Sequence, residues 1–176
     1  HTGTLTELVD GLGSPLHLVC PQIFHANVEA FQHSFAQAQV RGSLLFAKKA
    51  NKANCFIQAC AQCAIGVDVA SVGELQKALA GGVAGADIGV SGPRKSDQLL
   101  GLGLSHQCLL AVDSLEELMR IQQLAQSMRQ RAHLLLRYCP SSQPHSRFGL
   151  NARVRPGPGV LPPACGEPGP ARLFLS

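Results

Sequence analysis

The chain has 176 residues, 45% hydrophobic, 15% charged and 5% aromatic, which fits a globular protein and excludes disordered and fibrous classes. The net charge of +4 forms no Lys/Arg stripe with interleaved aromatics, so no nucleic-acid partner is expected. No apolar stretch approaches the roughly 20 residues that span a bilayer, so no membrane partner is expected either. The seven cysteines are odd in number and lie mostly in apolar runs, reading as reduced thiols. With no basic start or apolar h-region after His1-Thr2-Gly3, the expected location is the cytoplasm. The missing initiator methionine reads as a processed or partial chain.

In chain order, residues 1–21 are expected to form a leading segment that ends in a short strand, His17-Leu-Val-Cys20. Gln22–Gln39 carries apolar residues at helical spacing: Ile23, Ala26, Ala30, Phe31, Phe35 and Ala38. Five β-rich runs follow, Leu44–Lys49, Gly66–Ser71, Ile88–Ser91, Cys108–Asp113 and His133–Tyr138, alternating with helical stretches. Before the last run, Asp113 or Ser114 caps a helix with Glu116 and Glu117 in its first turn and Arg129 and Arg131 at its end. The centres Phe46, Asp68, Gly89, Leu110 and Leu135 are separated by 22, 21, 21 and 25 residues, the spacing of βα units. Parallel strands follow, and the near-continuous apolar runs imply a sheet covered by helices.

A half-open barrel and a doubly wound sheet both fit this rhythm. No G-x-G-x-x-G follows the first strand and no G-x-x-x-x-G-K-[ST] occurs, which argues against a dinucleotide- or triphosphate-binding sheet. Residues 151–176 break the pattern, with 6 prolines and 4 glycines and no hydrophobic period before Leu173-Phe-Leu175, and are expected to be an irregular tail.

Lys49 lies at the carboxyl end of an apolar run, the edge where parallel α/β folds place their active sites. Alternation groups Leu45, Ala47 and Lys49 on one face and Leu44, Phe46 and Lys48 on the other, so one lysine points to the barrel interior or sheet face. A lysine desolvated there becomes a nucleophile toward carbonyls; the alternative is a pair of snorkelling surface lysines. Cys60 and Cys63 form a C-x-x-C with no second pair, and their i, i+3 spacing favours small core residues over metal ligands. His145 is expected in a solvated polar loop, and Glu74 in a helix first turn without chemistry.

The run Phe46-Ala-Lys-Lys-Ala-Asn51 resembles the strand that carries the cofactor lysine in fold type III pyridoxal-phosphate enzymes, the diaminopimelate, ornithine and arginine decarboxylase group. Further segments resemble this family in order: Ser14-Pro-Leu-His-Leu-Val-Cys20, Val67–Glu74, Ser91-Gly-Pro-Arg-Lys-Ser96, Val112–Glu117, Leu134-Leu-Leu-Arg137 and Ser146-Arg-Phe-Gly149. Alanine racemases share the barrel but continue after the lysine with Tyr-Gly-His-Gly, whereas Asn51-Lys-Ala-Asn54 follows here, as in the decarboxylase branch. Lys48 departs from that branch, where an apolar residue is usual.

The resemblance implies an α/β fold, a partial TIM-type (β/α) barrel of about five of eight units preceded by one short strand. Residues 22–150 would be its cofactor-binding part. It makes Lys49 the catalytic Schiff-base lysine for pyridoxal 5'-phosphate, with Lys48 turned to the helix layer or a loop. Asp68 is placed beside the cofactor and the lysine, or else caps the next helix. Arg137 reaches toward the cofactor ring, or else pairs with an acid in the barrel interior. The implied activity is amino-acid decarboxylation, in a family whose full-length members form homodimers. The family's His-x-Gly-Ser strand and phosphate-binding Gly-rich loop have no counterpart here, so the chain alone is expected to be incomplete and inactive. The alternatives are a non-catalytic cofactor-binding or regulatory homologue that pairs with a full-length relative, and a racemase or dehydratase on the same barrel. Gly166-Glu-Pro-Gly-Pro-Ala-Arg172 resembles the family's Glu-Pro-Gly-Arg segment with Pro170 in the arginine's place, and Glu167 reads as a chance match.

Overall fold

A computed structural model describes residues 2–139, 150–151 and 171–175. Two helices, α1 (Thr2–Leu12) and α2 (Pro21–Gln37), precede a regular alternation. It runs β1 (Gly42–Ala47), α3 (Asn54–Gln62), β2 (Gly66–Val69), α4 (Val72–Ala80), β3 (Ile88–Val90), α5 (Asp97–Ser105), β4 (Leu109–Val112), α6 (Leu115–Met128) and β5 (His133–Leu136). Short strands β6 (Tyr138–Cys139) and β7 (Leu150–Asn151) pair in parallel with each other, and β8 (Ala171–Leu175) ends the described chain.

Local chemistry sets these boundaries. Ser71, Ser96 and Ser114 are N-caps whose hydroxyls accept the backbone N–H of Glu74, Leu99 and Glu117. In two of these caps the glutamate reaches back, Glu74 to the N–H of Ala70 and Glu117 to that of Asp113. Gln39, Ala64, Gln107 and Arg129 adopt left-handed φ of 54°, 51°, 58° and 53° just after α2, α3, α5 and α6, turning each helix back toward its strand.

The main sheet has the order β5-β4-β3-β2-β1-β8, with every pair parallel, and it curls into a half-barrel. Its core lies on the outer, helix-covered face. Leu44, Phe46, Val67, Val69, Ile88, Val90, Leu110 and Val112 project there against Val28 of α2, Ile57 of α3, Leu75 of α4, Leu100 and Leu104 of α5, and Leu118 and Ile121 of α6. Phe24 meets Phe46 and Phe56 edge-on at 5.2 and 5.4 Å, and Phe46 and Phe56 lie tilted against each other at 5.6 Å, locking α2 and α3 onto β1. Gly103 lets α5 approach β4, since a Cβ there would stand 2.8 Å from Leu110.

The partial barrel and its five parallel strands agree with the sequence, and two elements differ. The run His17–Cys20 forms no strand: a β-prone run becomes one only with a ladder partner, and none pairs with it among the described residues. Thr2–Leu12 is instead a helix, with Leu5, Val9 and Leu12 exposed along one side. In the segment expected to be irregular throughout, Ala171–Leu175 is a strand, whose residues 171–175 pair with Gly42–Phe46 of β1. His145, the stretch Ser146–Gly149 and Glu167 lie outside the described residues. Among the described residues no helix is long and apolar enough to cross a membrane.

Candidate active site

Because the strands run in parallel, their carboxyl ends gather at one edge of the half-barrel. The ladder continues one step past several strands. Lys48 N–H donates to the Asp68 carbonyl at 2.9 Å, Ser91 N–H to that of Val69 at 2.8 Å, and Arg137 N–H to that of Val112 at 3.1 Å. Each of these strand-end residues is thereby fixed to its neighbour.

Alternation sorts the two lysines. Lys49 follows Leu45 and Ala47 to the inner face, where it is exposed and lines a cavity of about 470 Å³ with Ala47, Asp68, Ser91, Ala111, Leu135, Leu136 and Arg137. Lys48 follows Leu44 and Phe46 to the helix side and is 1% exposed, its Nζ donating to the carbonyls of Ala53 at 3.0 Å and Asn51 at 3.4 Å. Burial, and then the charge of Lys77, hold the Lys48 amine below the ordinary lysine pKa, against the opposing influence of Glu74, Cys55 and Cys60.

Asp68 sits on the cavity wall with Lys49 and Arg137 rather than capping a helix, since Ser71 caps α4. Its Oδ2 accepts the Ser91 hydroxyl at 2.7 Å, and its buried Oδ1 has no hydrogen-bond partner among the described residues. Burial pushes its pKa up; the Ser91 bond and the charges of Lys49 and Arg137 pull it down, and Glu74 adds a small upward push.

Arg137 pairs with an acid, as one reading of its position had it, and also faces the cavity. It lines the cavity, and its guanidinium lies 3.2 Å from Oδ1 of the buried Asp113. Asp113 is in turn 3.8 Å from the Lys95 amine, and Lys95 binds both oxygens of Glu117 at 3.0 and 3.1 Å and the Gly92 carbonyl at 2.8 Å. Gly92, at φ +114°, makes the turn that aims Lys95 inward. Burial raises the Asp113 pKa, and Arg137 and then Lys95 oppose the rise more than Glu117 adds to it. The buried set Lys95, Asp113 and Glu117 thus anchors Arg137 from behind.

Sequence reasoning gave no role to Ser91, Lys95 or Glu117 in this arrangement, and considered Asp113 only as a cap, a task that Ser114 performs. Their common signal is position: each lies at or just beyond the carboxyl end of a strand in the 22-residue rhythm. Of the C-x-x-C pair, Cys60 is fully buried in the core, its thiol pKa pushed up to about 12 by burial. Cys63 stands 3.0 Å from Nδ1 of His25 between α3 and α2.

The pyridoxal binding domain of the pyridoxal-dependent decarboxylases matches residues 23–152, and the chain belongs to this family, whose cofactor is pyridoxal phosphate. An uncharacterised protein of Sinorhizobium fredii is 32% identical over 138 residues, 78% of this chain and 30% of the relative. A diaminopimelate decarboxylase of Archaeoglobus fulgidus is 29% identical over 151 residues, 86% of this chain and 35% of that enzyme. A crystal structure of diaminopimelate decarboxylase from M. jannaschii superposes with a TM-score of 0.74 at 25% identity, covering 83% of this chain and 37% of that one. The chain spans about a third of the length of the curated relatives it matches.

Proposed function

We propose that this chain carries the lysine-bearing part of a pyridoxal-phosphate site for amino-acid decarboxylation, with Lys49 as the Schiff-base lysine. The observation that carries the reading is the convergence of Lys49, Asp68 and Arg137 on one cavity at the carboxyl edge of the parallel strands. Its volume of about 470 Å³ suits a small-molecule cofactor. The buried Oδ1 of Asp68, without a hydrogen-bond partner among the described residues, leaves an acceptor for a group that those residues do not supply.

Within this site Lys49 would hold the cofactor through its side-chain amine, with Asp68 and Arg137 lining the same cavity. When bound, pyridoxal phosphate supplies an electron sink for the carbanion left after carbon dioxide departs. Asp68, oriented by the Ser91 hydroxyl, presents its carboxyl group to the same cavity as Lys49. Arg137, backed by Asp113, offers N–H donors to anionic oxygens on cofactor or substrate. Leu135, Leu136 and Ala111 supply the apolar part of the cavity lining. The substrate class is an amino acid, with diaminopimelate and related basic amino acids as leading candidates given the names of the relatives.

The 176-residue chain alone is expected to attach the cofactor without completing catalysis, because it spans about a third of its relatives. A homodimer is the assembly proposed for the whole protein. Purified chain mixed with pyridoxal phosphate should develop a borohydride-reducible absorbance that Lys49→Ala abolishes, and should release no carbon dioxide from diaminopimelate. Carbon dioxide release that Lys49→Ala abolishes would overturn the inactivity. Unchanged reducible absorbance in Lys49→Ala would overturn the role of the lysine.

A further inference from the structure

We propose that Lys48 is a positioning residue for Lys49: a buried ammonium that ties the turn after β1 to the start of α3 and so fixes where the neighbouring lysine presents its amine. The inference rests on the reading of Lys49 as the cofactor-attaching lysine and extends it to a residue outside the cavity.

Lys48 is among the most buried large side chains of the chain, at 1% exposure, on the face that otherwise carries Leu44 and Phe46. An apolar residue would fill that space without desolvating a charge. Its surroundings compensate only in part, since the charge of the nearby Lys77 works against the ammonium and that of Glu74 supports it. Its two hydrogen bonds both go to backbone carbonyls of the turn, at Asn51 and Ala53.

That turn is held at further points. Ala50 N–H donates to the Ala47 carbonyl at 2.9 Å, and Ala53 N–H to Oδ1 of Asn51 at 2.9 Å. Of the turn's exposed residues, Lys49, Ala50 and Lys52, it is Lys49 that directly follows the buried Lys48. Its backbone therefore has a fixed place although its side chain faces an open cavity. A cation donating to two carbonyls binds more strongly than neutral pairs would, which offsets part of its burial and gives the turn a single arrangement.

The test is Lys48→Met in the full chain, read three ways. The melting temperature should stay level or rise, because a buried charge is removed. Amide exchange at Ala50 and Ala53 should quicken at least about tenfold as the turn loosens. Borohydride trapping of pyridoxal phosphate on Lys49 should slow by about tenfold or more, a loss that stability alone would not produce. Lys48→Gln, whose amide restores a donor, should fall between the two. Native exchange and native trapping in a folded Lys48→Met chain would overturn the proposal, as would loss of folding in both variants. The exchange readout does not depend on the cofactor, so a native chain that traps nothing on Lys49 would refute the reading of Lys49 separately.

Discussion

The two faces of the half-barrel are built from the same strands to opposite rules. On the outer face Leu44, Val67, Ile88, Val90, Leu110 and Val112 are at most 4% exposed and belong to one apolar core cluster. On the inner face, at the strand ends, Lys49, Asp68, Ser91 and Arg137 surround open volume, and one carboxylate oxygen has no hydrogen-bond partner among the described residues. The period of two along each strand keeps these rules apart. The outer face carries the stability, and the inner face is free to hold groups that cost stability. Lys48 and Lys49 show the contrast within a single peptide unit, one amine spent on the turn's own carbonyls and the other left in the cavity.

The largest effect should come from the buried ion set between the two faces. Glu117→Ala leaves Lys95 without its bidentate partner and should cost about 3–5 kcal/mol in urea unfolding. A cost below about 1 kcal/mol would mean that Asp113 and the Gly92 carbonyl suffice for Lys95. On the outer face, Leu110→Ala opens a cavity among fully buried side chains and should cost about 2–5 kcal/mol while leaving cofactor trapping on Lys49 intact. Loss of trapping in a folded Leu110→Ala chain would erase the division between the faces.

The smallest effect has the opposite sign. Burial raises the folded pKa of Asp68, so its contribution to stability is full below the ordinary carboxylate pKa and is lost as pH rises through the folded value. Asp68→Asn removes that loss and keeps an acceptor for Ser91. It should therefore stabilise the chain at neutral pH by on the order of 1 kcal/mol, with the gain vanishing below about pH 3.8. A destabilised Asp68→Asn at neutral pH would show the carboxylate to be a net structural asset.

Much of this division was legible in the sequence because both faces obey short periods. Alternation around Phe46 separated Lys48 from Lys49, and the 22-residue rhythm announced the parallel units and the edge they share. Asp113-Ser-Leu-Glu-Glu117 marked its helix by local capping chemistry, and Glu74 was legible as a first-turn residue of another. What escaped depends on distant pairing. Lys95, Asp113, Glu117 and Arg137 come from three successive strand ends and a helix, and no local pattern joins them. Ala171–Leu175 is five residues within a Pro/Gly-rich average, and its ladder partner lies more than 120 residues earlier. His17–Cys20 failed in the reverse way, with strand-like composition and no partner in the sheet.

The central claim is that Lys49 alone among the lysines is set to attach pyridoxal phosphate. The direct measurement is borohydride reduction of the native chain with the cofactor, followed by proteolysis and mass mapping of the pyridoxyl group. Modification confined to Lys49, with Lys48 and Lys52 untouched, is the expected result. A label spread evenly over the exposed lysines, or found on Lys48, would contradict it.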